Sequence, residues 1–292
     1  MRISDIQNVS IEEIQAFQNP DGGWPYQQGS SWTEPTAYAL LAQCAGEKAG
    51  WDTARAVDWL SGAQRADGGW PPRRSVEQST WVTALVALLP PAVAGEERHA
   101  RAVDWLVGQT AMDTTLLFRM RELLLRGKLP EDRACGWCWF PGTAAWVTPT
   151  CLATLALRKC YWQRPSAALR ERIEGAREFL MARRCADGGW NHGSAISLGF
   201  NAGSYPETTG QALLALEGSD PAQLQDSFRL GQRMLGECQS AAGAAWLRLG
   251  LAAHEQLPAD TPPPARVCRT VADAALIYLA RVAEQGYNVF LE

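Results

Sequence analysis

The chain has 292 residues, 47% hydrophobic and 20% charged, which suits one large packed domain and argues against disorder. A net charge of −4 leaves no basic excess for phosphates and argues against a nucleic-acid partner. Met1 to Asp5 lack the apolar stretch of a secretion signal, and the longest apolar stretch, Trp81 to Ala94, is interrupted by Pro90-Pro91 and is too short to span a bilayer. A cytoplasmic chain without a transmembrane segment is expected, with contact at a membrane surface left open.

In chain order, a helix is expected near 10–18, running into the loop Gln18-Asn-Pro-Asp21-Gly22-Gly23-Trp24-Pro25. A segment apolar on nearly every side follows at 33–44. The pattern then repeats. A helix near 52–64 leads into Gln64-Arg-Ala-Asp67-Gly68-Gly69-Trp70-Pro71, 46 residues after the first copy, and then into 78–89. Arg55-Ala-Val-Asp-Trp-Leu60 recurs verbatim as Arg101-Ala-Val-Asp-Trp-Leu106 at the same spacing, inside a helix near 97–109. Further helices are expected near 112–126, 147–160, 167–184, 207–217, 222–238, 241–255 and 266–284. The loop recurs as Cys185-Ala-Asp187-Gly188-Gly189-Trp190, and more loosely as Cys135-Gly-Trp137-Cys138 and Gln239 to Trp246.

Helices before the loops carry one apolar stripe, whereas those after them, such as Thr36 to Ala42 and Thr150 to Ala156, are apolar all round and belong inside. The expected architecture is an all-α, α/α toroid: a single domain over 1–292, about six helix pairs in inner and outer rings. Paired glycines permit the reversal at a helix exit, Asp caps the turn, and Trp staples neighbouring helix ends. Six arginines between Arg164 and Arg184 read as the solvated face of an outer helix. The eight cysteines are scattered, and Cys135 and Cys138 read as packing residues, with a metal or disulfide role left open.

Gln-x-x-Asp-Gly-Gly-Trp before an apolar helix resembles the repeat of squalene–hopene and oxidosqualene cyclases, class II terpene cyclases and protein prenyltransferase β-subunits. The resemblance covers nearly the whole chain and is more specific for fold than for function. Class II cyclases protonate an alkene through an Asp-rich motif where an inner helix begins, and no such motif occurs here; Ala111-Met-Asp113-Thr-Thr resembles only its tail. Two inner helices open with glutamate instead, at Trp32-Thr-Glu34-Pro and Tyr205-Pro-Glu207-Thr-Thr. Glu207 is in register with that family's catalytic Asp, so Glu207 and Glu34 are the candidate acids, with helix capping as the alternative for both. The zinc site of the prenyltransferases is incomplete: Cys151 is present, but Pro149 stands where their Asp would be and His192 has no partner. No metal and no cofactor are expected.

Trp32, Tyr38, Trp81, Trp146, Phe200 and Tyr205 fall near inner-helix starts and are the expected lining for an apolar, isoprenoid-like ligand, whose cations aromatic faces stabilise by about 0.5–2 kcal/mol each. Arg73-Arg74 could meet a diphosphate at the mouth. The leading expectation is an isoprenoid-handling protein, cyclase-like or prenyltransferase-like. Its rivals are a non-catalytic lipid- or protein-binding toroid and a carbohydrate-active one.

Overall fold

The computed structural model describes residues 9–46, 53–114, 120–121, 123–125, 135–193, 196–197, 200–259, 261 and 267–292. Twelve helices are bounded among them: α1 (Ile11–Gln15), α2 (Thr33–Ala45), α3 (Ala54–Ser61), α4 (Val82–Ala87), α5 (Pro91–Ala94), α6 (Glu96–Gly108), α7 (Val147–Gln163), α8 (Ala167–Ala182), α9 (Pro206–Ala215), α10 (Gln225–Glu237), α11 (Ala241–Ala252) and α12 (Val271–Glu284). The named strands among the described residues are β1 (Ile196–Ser197) and β2 (Phe200–Asn201), a two-residue antiparallel pair. No helix among the described residues is long and apolar enough to cross a membrane.

The inner ring runs α2, α4, α7, α9, α11, α12, each packed on the next, and α12 returns to α2. Burial explains why these segments lack a polar face: α9 buries every residue from Thr208 to Ala215. The helices that precede the loops bury one stripe, as α8 does with Leu169, Ile173, Ala176 and Leu180 at helical spacing. The chain therefore has the expected α/α-toroid fold, with one change of bookkeeping. Strict alternation would put the last helix outside, yet α12 buries Val271, Ala272, Ala274 to Ile277, Leu279 and Ala280 and completes the inner ring. The short α1 packs on both α12 and α2 and covers their seam. The helix expected near 112–126 begins as a 3-10 turn, Met112–Thr114, and much of the rest lies outside the described residues.

Each Asp-Gly-Gly-Trp loop is built alike. Gly22, Gly68 and Gly188 have φ of 95°, 94° and 95°, which a side chain would strain. Asp21 Oδ1 accepts from Gly23 N–H at 3.0 Å and from the Ser31 hydroxyl at 2.7 Å, and Asp67 repeats this with Gly69 and Ser79. The indoles of Trp24, Trp70, Trp137 and Trp190 donate to the carbonyls of Ile14, Leu60, Leu106 and Leu180 at the ends of the preceding helices. Their backbone N–H groups donate to Thr36, Thr83, Thr150 and Thr209 in the following inner helices.

A second set of bonds links repeat to repeat. Thr33 N–H donates to Pro72 O, Trp81 to Trp139, Val147 to His192 and Val271 to Tyr26, at 2.9, 3.0, 2.8 and 2.8 Å. Each acceptor lies two residues past a loop tryptophan, so an inner-helix start is tied to the next loop, and the last tie closes the ring on the first loop. Between α9 and α11 a glycine pair allows backbone contact: a Cβ on Gly210 would lie 2.2 Å from the Trp246 carbonyl carbon, and one on Gly250 2.4 Å from Gly210 O.

Candidate active site at the mouth of the ring

The loops place the starts of the inner helices at one end of the ring, and Glu34 and Glu207 sit in the first turns of α2 and α9. Neither side chain bonds a backbone N–H of its helix, though each stands in the first turn where the helix dipole favours an acid. The Tyr26 hydroxyl donates to Glu34 Oε2, and Glu207 makes no hydrogen bond to a described residue. Burial raises the Glu34 pKa to about 7, opposed by the Tyr26 hydrogen bond and reinforced by the negative charges of Glu207 and Asp273. Glu34 nonetheless keeps part of its surface accessible. Glu207 is also raised, by burial first, with His192 opposing and Asp273 assisting. Tyr26 and Tyr38 are pushed well above the ordinary phenol value, chiefly by burial and then by the Glu34 charge.

The structure thus brings Glu34, Glu207, Asp273, Tyr26 and Tyr38 into one electrostatic group. Sequence reasoning passed over Tyr26 and Asp273. Asp273 belongs to a capping box with Thr270 at the start of α12, which reads from sequence as a cap and nothing more. Tyr26 had one available signal: it follows Trp24-Pro25 where the second loop has a second proline, Pro72.

The expected aromatic lining divides. Trp32 immediately precedes α2, with its ring 5.5 Å from that of Tyr26 and the Arg73 guanidinium 5.1 Å from its centroid. Tyr205 is 52% exposed and stacks near His192 at 5.2 Å, and Trp146 is 37% exposed beside Gly193. Tyr38, one turn below Glu34, is 2% exposed and packs on Trp246, which packs on Phe290 at 5.3 Å. It is a core residue, not a rim residue. Trp81 is half-buried edge-on to Trp139 at 4.9 Å. Phe200 does not open a helix at all: it lies on β2, 77% exposed, because a hairpin intervenes before Pro206.

Asp113 is structural, accepting from Ala145 N–H at 3.1 Å and pairing with Arg183 at 3.5 Å. Cys135 and Cys138 are free thiols, and burial raises the thiol pKa of Cys151. Among the described residues no three His, Cys, Asp or Glu side chains converge as a metal site would need.

No protein-family model matches the sequence, and no curated protein matches it. Solved structures do. A variant of the type II terpene cyclase MstE from Scytonema, in complex with its substrate geranylgeranyl dihydroxybenzoate, matches with a TM-score of 0.55 and 18% identity over 99% of this chain and 80% of that one. The apo form of that cyclase matches at 0.51, with 18% identity over 99% and 81%. The fold is that of the type II terpene cyclases. A GH76 α-mannanase from Bacteroides thetaiotaomicron shares it, at a TM-score of 0.59 and 11% identity over 94% of each chain.

Proposed function

We propose that the protein is an isoprenoid cyclase started by protonation, with Glu34 as the acid. One observation carries this reading. Glu34 opens an inner helix at the mouth with its pKa held at about 7, so it still carries a proton near neutral pH, where an exposed carboxyl has lost it. Tyr26 donates to the oxygen opposite the one that gives up the proton, and so stabilises the carboxylate left behind.

The step balances as an isomerisation. Glu34 gives its proton to the terminal double bond of the chain, the tertiary cation is attacked by the next double bond, and a carbon–carbon bond forms. The final cation loses a proton to Glu207, whose raised pKa suits it to accept one. Trp32 and Tyr205 offer π faces to the passing charge. The substrate-bound relative of the same fold supports an isoprenoid ligand. Full-length protein incubated with geranylgeranyl dihydroxybenzoate should give a product of unchanged mass and altered chromatographic retention, absent with Glu34→Gln. Unchanged substrate with wild-type protein would defeat the reading.

The mannanase match favours one other reading, in which Glu34 is the general acid and Glu207 the base of a glycoside hydrolysis. Release of reducing ends from α-mannan, lost in Glu34→Gln, would replace the cyclase reading with this one.

A further inference from the structure

We infer that the rim of the mouth carries an anion subsite, Arg73 stacked on Trp32, which takes the carboxylate or phosphate head of the isoprenoid. This rests on the isoprenoid reading above and adds to it the substrate's polar end.

The loop that bears Arg73 is fixed against α2. Thr33 donates its hydroxyl to Pro71 O at 2.6 Å and its N–H to Pro72 O at 2.9 Å, so the next residue begins beside the first turn that holds Glu34. From there a series of contacts leads to the acid: the Arg73 guanidinium lies 5.1 Å from the Trp32 centroid, Trp32 lies 5.5 Å from Tyr26, and Tyr26 donates to Glu34.

The neighbouring arginine is committed elsewhere. Arg74 donates to Trp59 O at 2.8 Å and lies 5.0 Å over the Trp59 ring, bracing α3. Arg73 has no ion pair and no hydrogen-bonded acceptor among the described residues. A guanidinium without a bonded acceptor can offer a carboxylate or a phosphate two parallel N–H bonds. No ion pair or hydrogen bond joins Arg73 to Glu34 or Glu207. A chain held by its head at Arg73 and by its terminal alkene at Glu34 is held at both ends near one helix start. It folds back on itself, which is the conformation in which its double bonds can meet.

The test is equilibrium binding to the full chain of three probes with a common geranylgeranyl tail: the diphosphate, the dihydroxybenzoate and the neutral alcohol. Wild type should prefer an acid-headed probe to the alcohol by about tenfold or more. Arg73→Gln should lose that preference while binding the alcohol as before, Arg73→Lys should keep part of it, and Arg229→Gln, a remote surface change, should match wild type. A preference for only one acid head identifies carboxylate or phosphate as the natural group. Preference that survives Arg73→Gln, or its absence from wild type, overturns the subsite and leaves the isoprenoid reading standing. Binding of none of the three overturns both. Thermal unfolding of the two Arg73 variants should match wild type, since the side chain is exposed. If Arg73→Gln unfolds early, a full tenfold preference in a stable Arg73→Lys overturns the bidentate subsite.

Discussion

Glu34 couples the titration of one side chain to the stability of the fold. Its folded pKa is about 7 against an ordinary 4.5, so between those values the folded chain holds a proton that the unfolded chain has released. Its contribution therefore turns unfavourable as pH rises through that window, and is absent below it, where both states are protonated. Glu34→Gln should be nearly neutral at pH 4 and should stabilise the protein by on the order of 2 kcal/mol at pH 8. Unfolding curves at the two pH values decide it, and equal effects at both would mean the carboxyl is not held neutral. Tyr26→Phe removes the bond that opposes this shift, so the Glu34 midpoint should move higher, read from its carboxyl carbon by NMR. Of these residues the glutamates were legible, because an acid opening an otherwise apolar helix stands out. Tyr26 was not, since its role depends on a loop folding back eight residues. Phe200 was misplaced because closeness in sequence to a helix start says nothing once a hairpin intervenes.

At the scale of elements, the repeated Arg-Ala-Val-Asp-Trp-Leu proves to be a clamp on the preceding loop. Arg55 donates to Asn19 O and Pro20 O at 3.2 and 2.6 Å, and the Trp59 indole donates to Asp21 at 3.0 Å. Arg101 and Trp105 do the same for Arg65 O, Ala66 O and Asp67. The 46-residue spacing was plain in the sequence, but its reason was not, because each helix grips the loop of the previous repeat and not its own. Trp59→Phe keeps the ring and removes one of the three bonds to the exposed Asp21, so chemical denaturation should show a loss of about 0.5–1.5 kcal/mol. Trp70 is 1% exposed, and Trp70→Ala should cost about 3–5 kcal/mol, whereas a change below about 0.5 kcal/mol would show that the tryptophan is no staple. The tight approach of α9 and α11 left less trace. Gly210 and Gly250 read as ordinary small residues until the two backbones are seen to touch, and Gly210→Ala should destabilise by about 1–3 kcal/mol or more.

For the whole molecule, the feature hardest to see in the sequence is closure. The fifth repeat has no Asp-Gly-Gly-Trp loop, so strict alternation leaves α12 as an outer helix, and only its packing on both α11 and α2 makes it the sixth inner one. The tie that closes the ring, Val271 N–H to Tyr26 O at 2.8 Å, ends on the residue whose hydroxyl holds Glu34. Closure of the fold and tuning of the acid therefore meet in one residue, through its carbonyl and its hydroxyl. Val271→Pro separates them. Proline is tolerated at the first position of a helix, and Thr270 already has the extended backbone (φ −137°, ψ 160°) that a following proline requires, so α12 should survive while the tie is lost. The expected cost is about 1 kcal/mol, with amide exchange rising first in α12 and in α1, which covers the seam. The same variant should raise the Glu34 midpoint in the direction of Tyr26→Phe, because a Tyr26 released from the seam no longer holds its hydroxyl on the carboxylate. A midpoint unchanged from wild type, in a variant whose seam amides have lost protection, would show that the acid is tuned by burial alone and that ring closure plays no part in it.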